Sequence, residues 1–469
     1  MGSIQSEPRA IGDVIATLQA RFGARINVSQ AVRDQHARGE GLAASFPPDA
    51  VIWPLDKHEV CEILSCCNEA GVPAIAYGAG SSLEGHVSAP FGGICIDMSR
   101  MDAVLKVHAE DGECVVQPGV TRETLNAYLK DTGLFFPVDP GANASIGGMV
   151  STRASGTTTM RYGSMVHNVM SLEVALADGR LVRLGTRARK SSAGFDLVHL
   201  MIGSEGTLGI VTEVTLRLHP LPVEVAAATC AFPTLAQAVA AVTELGVSGV
   251  PFARIEFLDE HQVRACNAHS HLGLVEMPTL FLEFHGSKSG VAEQVELAEA
   301  VAESHGTVGF EWATRPEDRA RLWRARHMAY FAALALRPGC ISIIADVCVP
   351  MSALADCVAF ARESIDREGL IAPILGHVGD GNFHVLFMPM PDRPGERAAV
   401  DRVYGEMIAR AHAVGGTCTG EHGIGLGKKS RLLAECGPDV VALMRGIKQV
   451  WDPRAILNPG KIFDQHAIA

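Results

Sequence analysis

The sequence predicts an α+β protein of two or more domains. The chain has 469 residues, which exceeds the size at which a single hydrophobic core usually stops growing. Hydrophobic residues make up 48% of the chain and charged residues 20%, so a folded protein with a large core is expected. After Pro220 and Pro222, predicted strands and helices alternate as far as about Met390. That alternation is typical of an antiparallel sheet with helices on one face.

These patterns divide the chain into four segments. We predict an N-terminal helical segment at 1–44, a first domain at 45–220, a second domain at 221–414 and a C-terminal segment at 415–469. The end of the last segment, Asn458–Phe463, is too apolar for a free tail. We therefore expect the C-terminal segment to pack against a folded domain.

The first half of the chain carries clear local signals for helices. A helix is predicted over 10–22, and a second helix begins after Asp56, which has capping-box spacing with Glu59. Gly71 ends the second helix, and a short strand, Val72–Tyr77, follows. The apolar residues at helical intervals are Val60, Ile63, Leu64 and Cys67. Further strands are predicted at 94–98, 104–107 and 114–117, and a further helix at 121–133.

A glycine-rich loop, Gly78–Gly85, follows the strand that ends at Tyr77. Its GxGxxxxG spacing differs from a dinucleotide fingerprint, and no amphipathic helix begins inside it, so a Rossmann site is not expected. One interpretation is an anion nest, in which backbone N–H groups and the hydroxyls of Ser81 and Ser82 surround a pyrophosphate. A plain glycine turn explains this stretch equally well.

Two more stretches of the first domain are rich in small residues, at 139–156 and 203–213. Small side chains over such lengths let the backbone lie against a large flat ligand. A purely structural run of this kind would give up core packing without any gain. The two stretches therefore predict a ligand site in the first domain.

The second domain is expected to contain both strands and helices. Strands are predicted at 223–232, 254–258, 279–285 and 340–349, and helices at 234–246, 290–305, 351–369 and 395–414. A long helix follows Thr314, which has capping-box spacing with Glu317. Pro316 falls in the first turn of this helix, where its missing N–H does no harm.

A predicted hairpin over 371–388 carries two histidines. Asp380-Gly381 is a strong signal for a two-residue turn, which would place His377 opposite His384 on one face. Their Cβ atoms would then lie roughly 5 Å apart, a separation that suits two ligands of one metal ion. Two ordinary surface histidines are the simpler alternative.

A second dense stretch, Gly415–Lys428, places Glu421 beside His422 among six glycines. A glycine-rich backbone is costly to order unless something must approach it closely. Two histidines and one carboxylate leave room for substrate, as in a catalytic metal site, and they suit zinc, manganese or iron. The same three residues could also serve a metallohydrolase, and a binding protein without turnover is a further alternative.

Composition excludes several other functions. The net charge of −12 argues against nucleic-acid binding, which needs a basic face. The twelve cysteines form no CxxC pair, haem site or iron-sulfur pattern, so we expect reduced thiols and a cytoplasmic type of compartment. No apolar run is as long as a membrane span, and the N-terminus lacks the features of a signal or transit peptide.

The five glycine-rich motifs together carry a family resemblance. They are the 78–85 loop, DPGANASIGGM at 139–149, GSEGTLG at 203–209, GHVGDGNFH at 376–384 and GEHGIGLGK at 420–428. From about residue 45 onward, the chain resembles the FAD-linked oxidase and dehydrogenase family with the PCMH-type FAD-binding domain. Within that family it is most similar to the cytochrome-type D-lactate dehydrogenases, which are related to D-2-hydroxyglutarate dehydrogenases and to glycolate oxidase flavoprotein subunits.

The resemblance implies that 45–220 is a two-subdomain FAD-binding domain, that 221–414 is a substrate-binding cap, and that the C-terminal segment returns to the FAD domain. The cofactor-binding residues it implies are Gly78, Ala79, Gly80, Ser81, Ser82, Pro140, Gly141, Ser145, Gly147, Gly148, Ser151, Glu205, Gly209, Ile210, Val211 and Asn458. The metal ligands it implies are His377, His384 and Glu421.

The resemblance further implies oxidation of a D-2-hydroxy acid by hydride transfer to flavin. His422 is the implied base, with a fourth metal ligand as its alternative role, and Arg326 is the implied clamp for the substrate carboxylate, with Asn382 also at the substrate. Arg324 cannot share the helical face of Arg326 and is expected to be solvated. Relatives that use 2-hydroxyglutarate carry a lysine where this chain has Ile344, which favours lactate or longer aliphatic acids.

Because the chain has no haem or cluster of its own, its electrons must pass to an external acceptor. We expect a quinone, a cytochrome or an electron-transfer protein in this role. The expected location is the cytoplasm, and peripheral association with the inner membrane is the alternative.

Overall fold

The computed structural model describes residues 8–41 and 44–464. Its helices are α1 (Pro8–Phe22), α2 (Gln30–Gln35), α3 (Lys57–Ala70), α4 (Arg122–Leu129), α5 (Ile146–Thr152), α6 (Thr159–Tyr162), α7 (Met165–Asn168), α8 (Leu197–Met201), α9 (Leu235–Val247), α10 (Glu260–Ser270), α11 (Lys288–Ser304), α12 (Pro316–Ala335), α13 (Leu354–Arg367), α14 (Pro394–Ala413) and α15 (Lys429–Trp451). Across the described residues, no helix combines the length and apolar character that a membrane crossing needs.

The strands alternate with these helices throughout the chain. They are β1 (Ile26–Asn27), β2 (Ala50–Ile52), β3 (Ala74–Tyr77), β4 (Ile94–Asp97), β5 (Val104–His108), β6 (Glu113–Val116), β7 (Leu134–Phe135), β8 (Val169–Ala175), β9 (Leu181–Gly185), β10 (Ile210–Arg217), β11 (His219–Pro220), β12 (Glu224–Ala231), β13 (Phe252–Leu258), β14 (Thr279–Gly286), β15 (Gly309–Ala313), β16 (Ile343–Cys348), β17 (Ile374–Gly376) and β18 (Asn382–Phe387).

The chain forms two compact units. The first unit contains the residues up to Ser155, the segment Gly163–Leu221 and the residues from Glu421 onward. The second unit contains Gly156–Tyr162 and Pro222–Gly420. The chain leaves the first unit after Leu221, one residue beyond the predicted boundary at 220. It returns at Glu421, so the glycine-rich stretch Gly415–Lys428 is divided between the two units.

The first unit has two subdomains, each with its own sheet. The smaller sheet has the order β1-β2-β4-β3, in which β2, β4 and β3 run parallel and β1 is antiparallel to β2. The larger sheet has the order β5-β6-β10-β8-β9 and is antiparallel throughout. Each sheet has a separate hydrophobic core, in agreement with the expected two-subdomain architecture.

Helix α3 shows how local sequence directs packing in the smaller subdomain. Asp56 caps its first turn by accepting hydrogen bonds from the backbone N–H groups of His58 and Glu59, and Gly71 ends it in the left-handed conformation at φ 66°. The four apolar residues predicted at helical intervals are fully buried. Their stripe packs on the sheet that carries the Gly78 loop, and so the predicted cap, period and end of this helix are confirmed.

The second unit is built on a seven-stranded antiparallel sheet of order β15-β12-β14-β13-β17-β18-β16. Helix α12 packs on one face, where Trp323 lies 6.0 Å from the ring of Phe281. Helix α11 lies on the opposite face. Its Val291 lies next to Gly286 of β14, and residues an odd number of positions apart on a strand, such as Phe281 and Gly286, point to opposite faces. Helices thus cover both faces, and the expectation of helices on one face is wrong.

The predicted capping box at the start of α12 is also wrong. The residue before the helix is Arg315, and its side chain makes no capping hydrogen bond. Pro316 occupies the first turn as expected, because this position needs no donor N–H. Thr314 therefore lies one residue too early to act as the cap.

Candidate functional site

His377 and His384 form a buried pair in the second unit. They are 9% and 6% exposed, and their ring centroids lie 5.5 Å apart with an interplanar angle of 85°. Burial at this level excludes the alternative of two surface histidines. Two imidazoles at this separation could hold one metal ion between them.

The hairpin that brings the two rings together differs from the predicted one. Leu375 pairs with His384, so the strands are displaced by two residues from the register of a two-residue turn. The residues Val378–Asp380 form a 3-10 turn, and Gly381 ends it in the left-handed conformation at φ 76°. Because the turn takes up more residues than predicted, His377 lies just beyond the end of β17 and is not the cross-strand partner of His384.

Glu256 on β13 connects His377 to Arg326. One carboxylate oxygen lies 2.6 Å from His377 Nδ1, and the other accepts a hydrogen bond from Arg326 Nε at 2.6 Å. Burial raises the pKa of the Glu256 carboxyl, but the charges of His377 and Arg326 outweigh it and hold this pKa below its usual range. The carboxylate fixes the ring of His377 with Nε2 directed away from Glu256, the arrangement that a metal ligand requires.

Asp346 on β16 lies beside His384, at a longer distance than that between Glu256 and His377. It is fully buried, pairs with His384 across the strands, and its Oδ1 lies 3.6 Å from His384 Nδ1. Its two oxygens also accept hydrogen bonds from Asn382 Nδ2 at 2.8 Å and Thr419 Oγ1 at 3.0 Å. The side-chain amide of Asn382, the predicted substrate residue, therefore already donates a hydrogen bond to Asp346, and this bond orients the amide.

Sequence reasoning missed the roles of both Glu256 and Asp346. Asp346 lies within an otherwise apolar strand and Glu256 lies between two apolar residues of β13, which is a rare pattern because a buried charge is costly without partners. An acidic residue between apolar neighbours in a predicted strand is the signal that could have identified them. Sequence alone does not reveal their partners, since Glu256 meets Arg326 seventy residues away.

Arg324 and Arg326 of α12 lie on different sides of the helix, as helix geometry predicts. Arg326 is half-buried and held by Glu256, whereas Arg324 is exposed. A guanidinium held through its Nε still presents Nη donors, which suit a carboxylate. Arg326 remains the candidate substrate clamp.

In the first unit, the Gly78 loop and the start of α5 approach each other closely. A Cβ on Gly78 would overlap the Oγ of Ser145, and a Cβ on Gly80, at φ 72°, would overlap the hydroxyl of Tyr77. The buried hydroxyls of Ser82 and Ser145 make no hydrogen bond within the described residues. Such a bare backbone with two hydroxyls lacking partners fits an extended polar ligand such as FAD, because buried polar groups are normally paired.

The remaining predicted cofactor residues differ in how they use their side chains. Ser151 donates to the carbonyl of Gly147 at 2.8 Å, within α5. Ile210 and Val211 are buried in the two cores of the first unit, and a Cβ on Gly209 would overlap Val174. At 209–211, therefore, the side chains serve packing, and only the backbone can face a cofactor.

Glu421 and His422 begin the C-terminal part of the first unit. Ser155 Oγ donates to Glu421 Oε2 at 2.8 Å, and His422 Nε2 lies 3.9 Å from Glu421 Oε1. Gly423 and Gly425 have φ values of 75° and 48°, so the backbone is irregular here. An irregular backbone removes the constraint that neighbouring residues point to opposite faces.

Comparisons with known proteins match the chain in two parts. Residues 48–185 match the family model for a FAD binding domain, and residues 221–462 match the model for the C-terminal domain of FAD linked oxidases. A probable mitochondrial D-lactate dehydrogenase from Danio rerio is 45% identical over 97% of this chain and 92% of its own length. A mitochondrial D-lactate dehydrogenase [cytochrome] from Arabidopsis thaliana is 44% identical over 89% of this chain and 74% of its own.

Solved structures support the fold. The crystal structure of p-cresol methylhydroxylase with substrate bound superposes with a TM-score of 0.75 at 18% identity, covering 98% of each chain. Both family models and the curated relatives describe FAD-linked oxidoreductases, and the observed architecture is the PCMH type. The chain is a FAD-dependent dehydrogenase of the FAD-linked oxidase and dehydrogenase family.

Proposed function

We propose that the protein oxidises a D-2-hydroxy acid, D-lactate or a longer aliphatic analogue, to the 2-keto acid. The observation that carries this proposal is the buried His377–His384 pair, which Glu256 links to Arg326. The relatives named as D-lactate dehydrogenases support the choice of substrate.

A divalent metal ion is part of this proposal, with His377, His384 and Glu421 as its ligands. The donor set fits, since Glu256 directs the Nε2 of His377 away from itself and Asp346 backs His384. Glu421 directly follows Gly420, where a Cβ would overlap the amide of Asn382. When bound, the ion supplies a Lewis acid that lowers the pKa of the substrate hydroxyl, and FAD supplies the hydride acceptor.

The protein's own residues then have distinct tasks. Arg326 binds the substrate carboxylate through its Nη groups, and Glu256 holds this guanidinium in place. His422 takes the hydroxyl proton while Cα gives up its hydride, so the substrate loses one proton and one hydride. Asn382, oriented by Asp346, lies beside the histidine pair as a further polar contact for the substrate.

Substrate length depends on position 344. Ile344 on β16 is partly exposed and pairs with Leu386, so position 344 itself supplies no cation for a second carboxylate. An apolar neighbour favours a methyl or alkyl side chain over a distal acid. We infer that 2-hydroxyglutarate is a poorer substrate than D-lactate.

An external electron acceptor completes the proposed reaction. A quinone, a cytochrome or an electron-transfer protein would serve, and the Arabidopsis relative is named as a cytochrome-linked enzyme. We expect an artificial dye to reoxidise the flavin faster than molecular oxygen does. Stoichiometric peroxide at a rate comparable to dye reduction would contradict this acceptor.

The proposed function is tested by anaerobic mixing of the FAD-loaded protein with a panel of acids. D-lactate and D-2-hydroxybutyrate should bleach the flavin band, whereas L-lactate should not. Glycolate and D-2-hydroxyglutarate serve as the competing substrates. Faster bleaching by either of them would reassign the substrate, and no bleaching by any 2-hydroxy acid would reject the proposed function.

A further inference from the structure

Glu205, one of the predicted cofactor-binding residues, has an unusual backbone conformation. It is 5% exposed and has a φ of 54°, in the left-handed region that side chains other than glycine rarely adopt. Its backbone N–H donates to the carbonyl of Ser151 at 2.8 Å, and its carbonyl accepts from Asn458 Nδ2 at 2.6 Å. Such backbone strain persists only where surrounding contacts impose it.

The carboxylate of Glu205 is directed at the loop that carries His422. One oxygen accepts a hydrogen bond from the backbone N–H of Ile424 at 2.7 Å, and the other accepts from the N–H of Gly425 at 2.8 Å. The ring Nε2 of His86, itself 4% exposed, lies 3.3 Å from the first oxygen. Both oxygens are therefore occupied by protein groups.

Glu205 is ionised in this environment. Burial raises the pKa of its carboxyl, but His86 and the two backbone N–H groups outweigh burial and hold this pKa below its usual range. Hydrogen bonds to a charged acceptor are roughly twice as strong as those between neutral groups. The contact with the loop is therefore a strong one.

The loop is also closely seated on the residues that follow the Gly78 loop. A Cβ on Gly423 would lie 2.7 Å from His86 Nε2 and 2.8 Å from Glu205 Oε1. The backbone N–H of Leu426 donates to the carbonyl of Glu84 at 2.7 Å. One side of the loop is thus fixed by residues 84–86 and by Glu205, which leaves it few alternative conformations.

We propose that Glu205 is a positioning residue for His422, which acts by holding the backbone two and three residues further along the chain. Its side chain does not bind the cofactor, although the sequence placed Glu205 among the cofactor-binding residues. The role of His422 as the base rests on the proposed function. The role of Glu205 in ordering the loop does not.

Hydrogen exchange on the FAD-loaded protein tests the ordering directly. In Glu205→Gln the amide can accept only one of the two N–H groups, so exchange in the peptide containing Ile424 and Gly425 should be about 10- to 100-fold faster. Glu113→Gln is the matched control, because Glu113 is a buried carboxylate of the same unit that pairs with Arg187. Its exchange in that peptide should equal that of the wild type.

Kinetics then separate positioning from cofactor binding. Glu205→Gln should keep its FAD and reduce the flavin with D-lactate about 10- to 100-fold more slowly, with little change in KM. Loss of FAD in proportion to activity would make Glu205 a cofactor ligand and overturn the proposal. Wild-type exchange and a wild-type rate in Glu205→Gln would overturn it as well.

A second variant covers the case in which Glu205→Gln does not fold. Glu205→Asp keeps the charge but withdraws the carboxylate by one methylene, so it should show the same local increase in exchange. If wild-type protein fails to react with any 2-hydroxy acid, the proposed function fails. The exchange result would still decide whether Glu205 orders the loop.

Discussion

The two units carry candidate functional residues of opposite kinds. In the first unit, the predicted cofactor cradle consists largely of backbone, and glycines such as Gly78 and Gly80 are present because a side chain would overlap a neighbour. In the second unit, the candidate metal ligands are side chains on or beside a regular sheet, and a buried carboxylate lies next to each histidine of the pair. A large cofactor is held by loop shape, whereas a small substrate is held by precisely oriented polar groups.

This comparison predicts the largest single-residue effect at His422, whose side chain the proposed mechanism uses directly. His422→Asn should slow flavin reduction by about 10²- to 10⁴-fold, because a positioned general base typically contributes that much. Its metal and flavin contents should remain those of the wild type. Elemental analysis beside single-turnover bleaching gives the answer, and a variant that has lost its metal would show that His422 is a ligand instead.

A smaller effect is expected at Glu256, which acts through its neighbours. Glu256→Gln weakens the hold on both His377 and Arg326 and should lower metal affinity or the rate of flavin reduction by about 10- to 100-fold. Glu311→Gln, an exposed change in the same unit, serves as the control. Unchanged metal affinity and rate in Glu256→Gln would mean that the bridge is only structural.

In the first unit, FAD affinity should be more sensitive to an added side chain than to the loss of a charged group. Gly80→Ala forces a Cβ into the hydroxyl of Tyr77 at a positive φ, so FAD affinity should fall by about tenfold, which corresponds to about 1.4 kcal/mol. Gly12→Ala, in open space on α1, should leave FAD affinity unchanged. Fluorescence titration with FAD measures both, and equal affinities would argue against a tight cradle at Gly80.

At Lys461 the expected effect is on folding stability and not on catalysis, as a pH dependence of unfolding. Burial lowers the pKa of its ammonium group to about 7, against the opposing charge of Glu205. The unfolded chain binds more protons than the folded protein between pH 7 and lysine's ordinary range, so stability should rise with pH across that window. Lys461→Met should remove that rise. Urea unfolding of both proteins at pH 7 and pH 9 checks this, and parallel pH profiles would contradict it.

Local signals explain what the sequence could predict. The cap and buried stripe of α3 depend on neighbouring residues, and so do the glycines of the Gly78 loop, so these features were found without the structure. The histidine pair was predicted for a partly wrong reason, because the hairpin turn is longer than Asp380-Gly381 alone suggests.

Contacts between distant residues explain what the sequence could not predict. Glu256 and Asp346 meet partners that lie far away in the chain, and no periodicity encodes such contacts. Glu205 was singled out as a cofactor-binding residue, and its contact with Gly425, 220 residues further along, was not foreseen. Sequence patterns locate glycine-rich loops well, whereas the groups that orient a site become visible only in the folded protein.

The proposed metal dependence is tested most directly by removing the metal while keeping the flavin. The protein should be chelated extensively, checked by elemental analysis and by its visible spectrum, and then mixed anaerobically with D-lactate, with His377→Ala measured alongside. We expect both samples to stay yellow and neither to be bleached by D-lactate, and we expect zinc or manganese to restore bleaching of the chelated wild type. Bleaching at the wild-type rate in a metal-free sample would contradict the proposed metal dependence.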